Sequence, residues 1–273
     1  GVKMSERNRI SFNNNTLRLG GTSWVVPGTL EENLRCLSEN VSDMEIVLFD
    51  TPEGSNIPHK DEVRELGYLL GELDMTCNIH FPVDVCDVEV SNIKERMRCE
   101  DLCLRITELF SPIKPFAWIL HLVGEVRGRV PSKEMEIWKE LTSSSALRIA
   151  ASVDDKSRIC AETLDNEFSY LIDIVRETGL SVCLDVGHLI KGEYPTLEYT
   201  EKYMPEARMI HLHGVMPDGT DHVDLSYFDK ELLKKIIKLA DDGRERVMSI
   251  EVFEDDYFRS LEVIKDFKEN YFN

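Results

Sequence analysis

At 273 residues the chain is long enough for one large domain or two small ones. Apolar residues make up 42% of it, enough for a sizeable core, yet no apolar run reaches the roughly 18 residues that a transmembrane helix needs. The formal charge of −19, from 32 basic and 51 acidic residues, argues against wrapping a nucleic-acid backbone but not against a local basic pocket for a phosphate.

A first strand is predicted over 20–26, in GGTSWVVPG, ended by Pro27 and Gly28. Thr29 can cap the helix that follows, with Glu31 and Glu32 in its first turn and Leu30, Leu34 and Leu37 at helical spacing. The second strand is MEIVLFD, 44–50, and a helix is predicted over 60–73. TCNIHF, 76–81, is the third strand; after a loop, a long helix is predicted over 93–110. PFAWILHL supplies the fourth strand, 116–122, and VGEVRGRVPS the loop before a helix from about 133 to 147. The fifth strand is 158–164, followed by a helix over 166–178 that Gly179 stops. LSVCLDVGH holds the sixth strand, 180–186, and its exit loop, and a short helix is predicted over 194–204. RMIHLH, 208–213, is the seventh, with a helix predicted over 227–241. The eighth, 246–252, leads into a closing helix carrying Phe258, Leu261, Ile264 and Phe267.

Several of these strands are apolar on both faces, the mark of a parallel sheet covered by helices. The repeating strand–helix unit leaves no room for a second domain, so the expected fold is α/β, a single (β/α)8 barrel spanning 1–273. No Gly-x-Gly-x-x-Gly follows the first strand and no Walker motif occurs, which removes the main signs of nucleotide-binding folds. There is no secretory start, and the seven cysteines form no CxxC pair, so a reduced, cytoplasmic protein is expected.

Polar residues gather at the predicted strand ends: Asp50, His80, His121, Glu162, Asp185 with His188, His211 with His213, and Glu251. Five of these are among the chain's seven histidines; His222 follows in the loop after the seventh strand, and only His59 stands apart. Barrel chemistry is assembled at the C-terminal ends of strands. Several carboxylates buried there need a counter-ion, and imidazole with carboxylate suits zinc, manganese or iron. One to three divalent ions are therefore expected, with His80, His121, Glu162, Asp185, His188, His211, His222 and Glu251 as ligands and Glu162, Glu251 and His80 nearest the chemistry. His211 and His213 are two apart and face the same side of a strand. Arg127, Arg129, His213 and Asp221 are candidates for binding an anionic substrate, with Lys133 beside the arginines; Asp218 is explained equally by an Asp-Gly turn. No G-x-S-x-G is present, and metal-activated water is the better nucleophile.

This set resembles the xylose isomerase-like barrel superfamily, including its endonuclease IV group, which draws ligands from successive strand ends in the order His, His, Glu, Asp-x-x-His, His, Asp-x-His, Glu. His80, His121, Glu162, Asp185 with His188, His211 and Glu251 fall in that order. The Asp-x-His step departs: Thr220 stands two before His222, and Asp221 is adjacent. GTSWVVPG, DMEIVLFD, SVCLDVGHL, MIHLHGV with a following DH, and SIEVF look more like the cobamide-remodelling phosphodiesterases of this superfamily. That resemblance implies cleavage of the nucleotide-loop phosphodiester of a cobalamin-like corrinoid, giving phosphorylated cobinamide and the riboside of the lower ligand. The residues themselves also permit a sugar or polyol isomerase or epimerase, with Glu162 and Glu251 around one metal. Abasic-site DNA cleavage fits the acidic chain less well, and a non-enzymatic corrinoid binder fits the density of ligands least.

Overall fold

Residues 8–86 and 93–271 are described in a computed structural model. In chain order the strands are β1 (Leu17–Thr22), β2 (Asp43–Val47), the two-residue strands β3 (Asp50–Thr51) and β4 (Gly54–Ser55), β5 (Thr76–Val85), β6 (Trp118–Leu122), β7 (Ile159–Glu162), β8 (Ser181–Asp185), β9 (Ala207–Leu212) and β10 (Arg246–Ile250). Eight of them close into a parallel barrel in the order β1-β10-β9-β8-β7-β6-β5-β2, while β3 and β4 form a small antiparallel hairpin of their own. The fold is a (β/α)8 barrel.

The helices are α1 (Leu30–Leu37), α2 (Lys60–Leu73), α3 (Ile93–Phe110), α4 (Met135–Ala150), α5 (Ile172–Thr178), α6 (Val186–Lys191), α7 (Thr196–Tyr203), α8 (Lys230–Ala240) and α9 (Glu254–Tyr271). Thr29 caps α1 in a reciprocal box: its hydroxyl accepts from Glu32 N at 3.2 Å and the Glu32 carboxylate accepts from Thr29 N at 2.7 Å. Gly179 ends α5 in the left-handed conformation, φ 77°, which a residue without Cβ adopts at little cost. No helix among the described residues is long and apolar enough to cross a membrane.

Three differences from the sequence reading matter for the site. β1 ends at Thr22, because the amides of Val25 and Val26 donate to the Asn33 side chain on α1 instead of to a neighbouring strand. Asp50 leaves the barrel for the β3–β4 hairpin. β5 runs on past Pro82 to Val85 through a register shift against β6, where His80 pairs with Ile119 but Asp84 with His121. Such bulges re-aim side chains, and this one returns Asp84 to the barrel mouth. The loop expected after β5 lies partly outside the described residues.

The interior is divided. Its lower part is packed by Phe116, Ala117, Ile119, Cys160, Cys183, Met209 and Val247, and the guanidinium groups of Arg18 and Arg208 lie 4.7 and 4.0 Å from the centre of the Phe116 ring. A larger apolar layer between strands and helices forms the main core. The polar residues lie above this floor, at the C-terminal ends of the strands, so the floor positions the site.

Candidate metal centre

Because successive residues of a strand alternate faces, seven of the eight barrel strands bring one or two polar side chains to the mouth. β2 gives Glu45, β5 His80 and Asp84, β6 His121, β7 Glu162, β8 Asp185 and β9 His211; Glu251 follows β10 directly. Asp185 also caps α6, accepting from His188 N at 2.7 Å, which places His188 on the first turn of that helix. The D-x-x-H spacing is therefore a strand end and the helix start it caps, rather than an open loop.

Glu162, almost wholly buried, lies at the middle of the cluster, and its two oxygens face different groups. Oε2 is 2.9 Å from His121 Nε2 and 3.3 Å from His80 Nε2. Oε1 is 3.6 Å from His211 Nδ1 and 3.4 Å from His188 Nδ1. His211 Nδ1 in turn lies 3.6 Å from Asp185 Oδ2 and 3.1 Å from Glu251 Oε2. Two groups of donors, His80–His121–Glu162 and Glu162–Asp185–His211–Glu251, thus adjoin through one carboxylate, and each is close enough to surround a single ion. Three of these atoms, Asp185 Oδ2, His211 Nδ1 and Glu251 Oε2, are buried with no hydrogen-bond partner. Leaving buried polar atoms unmatched is costly. Their convergence on one point, from carboxylates and an imidazole, is what a divalent cation would satisfy, so the residues fit the metal expected from the sequence.

Outer carboxylates orient two of the imidazoles. Asp84 Oδ1 is 2.7 Å from His121 Nδ1, and Glu45 Oε2 is 2.6 Å from His211 Nε2. Each therefore takes the proton on the far side of its ring and turns the other nitrogen towards Glu162, the arrangement typical of metal-binding histidines. The sequence reading named neither Asp84 nor Glu45. Glu45 carries the same signal as Glu162 and Glu251, a lone carboxylate in an apolar run, but Asp50 at the end of that run is the more conspicuous residue. Asp84 has no comparable signal, because only the bulge in β5 brings it to His121.

Electrostatics follow from this packing. Burial opposes charge on His121, but Glu162 and Asp84 outweigh it and raise the imidazole to about 10. His222, opposed by burial and favoured by Glu251, rises to about 9. Burial also opposes charge on Glu162 and Glu251, yet the imidazoles, His121 for the first and His211 for the second, hold both carboxyls well below their ordinary range. Glu45 moves the other way, raised chiefly by burial.

The remaining candidates divide. His213 contacts Asp185 Oδ1 through Nε2 at 3.0 Å, and its Nδ1 accepts the His222 amide at 3.1 Å. With both nitrogens engaged, it orients Asp185 and is not available to a substrate. Its ring lies so close to α6 that a Cβ on Gly187 would come within 2.1 Å of it, so glycine is required there. His222 stacks on His213 with centroids 4.0 Å apart and reaches Glu251 Oε2 at 3.5 Å, on a left-handed backbone with φ 54°. Asp221 is held by Lys191 at 2.8 Å, and Asp218 caps its own turn through Thr220 N. Arg129 turns away from the mouth, donating to the carbonyls of Gly192 and Glu193 and lying 4.3 Å over the Tyr194 ring, so it ties the β6 loop to the loop after α6. Arg127 lines a cavity of about 460 Å³ together with Asp84, His121, His188, Asp165 and Asn166.

No protein family and no curated protein matches the chain. Solved structures do match it across nearly its whole length. A D-tagatose 3-epimerase-like protein is 21% identical, with 92% of this chain and 97% of that one covered and a TM-score of 0.70. The 3-keto-D-glucoside 4-epimerase of E. coli is 14% identical over 93% and 99%, with a TM-score of 0.67. Endonuclease IV from Thermus thermophilus is 17% identical over 92% and 99%, also with a TM-score of 0.67. At these identities the likeness establishes the shared barrel fold.

Proposed function

We propose that the chain is a divalent-metal-dependent phosphodiester hydrolase. The observation that carries this reading is the division of Glu162, one oxygen towards His80 and His121 and the other towards His211. A single-metal site needs only the second set. A bridging carboxylate with imidazoles on both sides suits a pair of ions, which lower the pKa of bound water and offset charge developing on phosphorus. Glu162 would hold both positions, with His80 and His121 completing one and Asp185, His211 and Glu251 the other. Asp84 and Glu45 keep the imidazoles turned inward. Arg127, lining the adjoining cavity, would meet phosphate oxygens that the centre does not. His188 and His222, half-buried at the rim, would bind the substrate or complete a third position.

The cobamide nucleotide loop is the substrate we favour, on the strength of the sequence segments that resemble the cobamide-remodelling phosphodiesterases. Water would add across the phosphodiester to leave phosphorylated cobinamide and the lower-ligand riboside. The test is anaerobic incubation of metal-reconstituted protein with cobalamin, read by chromatography and mass. Metal-dependent phosphorylated cobinamide is the expected product, and intact cobalamin under every divalent metal tried would overturn the assignment.

A second reading is sugar or polyol isomerisation or epimerisation, with Glu162 and Glu251 passing a proton around one ion. The compact group Glu162–Asp185–His211–Glu251 is sufficient for it, and the structural comparisons lean this way, since two of the three structures above are an epimerase-like protein and an epimerase. Metal-dependent interconversion of D-tagatose or D-allulose with its epimer, without any phosphodiester cleavage, would favour it.

A further inference from the structure

The mouth of the barrel has two unlike walls. The side formed by the loops after β5–β8 holds the Arg127 cavity, whose lining mixes charged and polar residues with small aliphatic ones and carries no exposed aromatic ring. The side formed by the neighbouring strands β10, β1 and β2 carries large exposed rings: Trp24 just past β1 is 42% exposed, Phe49 past β2 39% and Phe253 past β10 38%. Each has a buried chain neighbour, Val25, Leu48 and Val252 respectively, so the backbone is anchored while the ring faces solvent. Two of the rings adjoin, and a backbone hydrogen bond ties the segment of the third to them. Trp24 and Phe49 are 6.2 Å apart between centroids, and the Trp24 carbonyl accepts from Glu254 N, the residue after Phe253, at 2.9 Å. They also adjoin the centre: Phe253 stacks on His222 at 6.4 Å and 19°, and His222 reaches Glu251.

We propose that Trp24, Phe49 and Phe253 form a stacking wall that binds a planar aromatic group of the substrate while its phosphate lies at the metal centre. The inference rests on the hydrolase reading for the phosphate, but the wall itself does not. Exposed aromatic faces bind planar rings by stacking, and direct continuity with His222 makes a ligand of the centre the occupant. A small acyclic substrate would leave the wall unused.

The test compares phenyl phosphate with methyl phosphate as ligands of the manganese-loaded protein. Trp24 is the exposed tryptophan, Trp118 and Trp138 being buried, so its emission reports on the wall, and adenosine added to metal-free protein supplies a probe independent of the centre. The expected result is that phenyl phosphate binds about tenfold tighter than methyl phosphate, a preference in the range of one stacking contact. Trp24→Ala and Phe253→Ala should each remove most of it without changing methyl phosphate affinity, and Trp24→Phe should restore it. Adenosine should quench the emission. Equal affinity for the two esters with no quenching would overturn the proposal. So would a preference that survives both alanine variants while sedimentation shows a wild-type dimer that Trp24→Ala dissociates, because the wall would then be a contact between copies of the chain. Failure of any phosphate to bind would remove the hydrolase reading alone, leaving adenosine quenching to decide the wall.

Discussion

Replacing Glu162 with Gln should uncouple the two halves of the centre while keeping side-chain volume. The carboxylate now serves His121 Nε2 at 2.9 Å with one oxygen and lies 3.6 Å from His211 Nδ1 with the other. An amide has one oxygen acceptor and one nitrogen donor, so it can serve one group only, and it lacks the charge that offsets a second ion. At an ion concentration 100 times its dissociation constant, each ion that binds only the folded chain stabilises it by about 2.7 kcal/mol. In a chain of this size 1 kcal/mol moves Tm by about 2–4 °C, so each ion should raise Tm by roughly 5–10 °C. Scanning calorimetry with and without a chelator, alongside elemental analysis, should show two ions and about twice that rise in the wild type, and one ion or none in Glu162→Gln. A variant that keeps both ions and the full metal-dependent rise would refute the bridging role.

Asp84→Asn should weaken the ion between His80 and His121 by about 10–100-fold while sparing the other; chelator competition that finds equal losses at both positions would show that Asp84 does not orient His121. Because His121 stands at about 10 and His222 at about 9, both are protonated near neutrality, and metal binding at His121 should release a proton, visible in titration calorimetry as a heat that depends on the ionisation enthalpy of the buffer. For the same reason His121 contributes fully to the stability of the metal-free protein below about pH 6.5, the ordinary imidazole value, down to the acid range where the lowered carboxyls of Glu162 and Glu251 take up protons. The protein should lose that contribution as pH rises to about 10, where folded His121 gives up its proton, and a metal-free Tm that climbs over this interval would contradict it. Far from the site, buried Arg246 donates to Met204 O, Ala207 O and Ala240 O and pairs with Asp242. Arg246→Met should cost about 3–5 kcal/mol in urea unfolding with metal content unchanged, and a loss below about 1 kcal/mol would mean that those carbonyls and Asp242 find other partners.

The barrel was legible in the sequence because strands covered on both faces are written as apolar runs, and the helices between them carry their own caps and stops. α2 and α3 occupy the ranges predicted from pattern alone, Lys60–Leu73 and Ile93–Phe110. Six of the eight expected metal ligands share the two adjoining groups of donors, and His188 and His222 lie at the rim; each was conspicuous as a polar residue interrupting an apolar strand or standing at or just past its end. Which residues support them was not legible. Arg127 and Arg129 are equal as sequence, and only the path of the β6 loop sends one into the cavity and the other to the Gly192 and Glu193 carbonyls. Asp84 reaches His121 through a bulge, a feature of strand pairing that no local pattern encodes. The division of Glu162 between two groups depends on where six strands place their ends around a closed circle. Periodicity and propensity act over a few neighbouring residues, so the sequence by itself determined the elements and the polar residues at their ends. Register and barrel closure join residues as far apart as Glu45 and His211, and only the tertiary structure decided which of them meet.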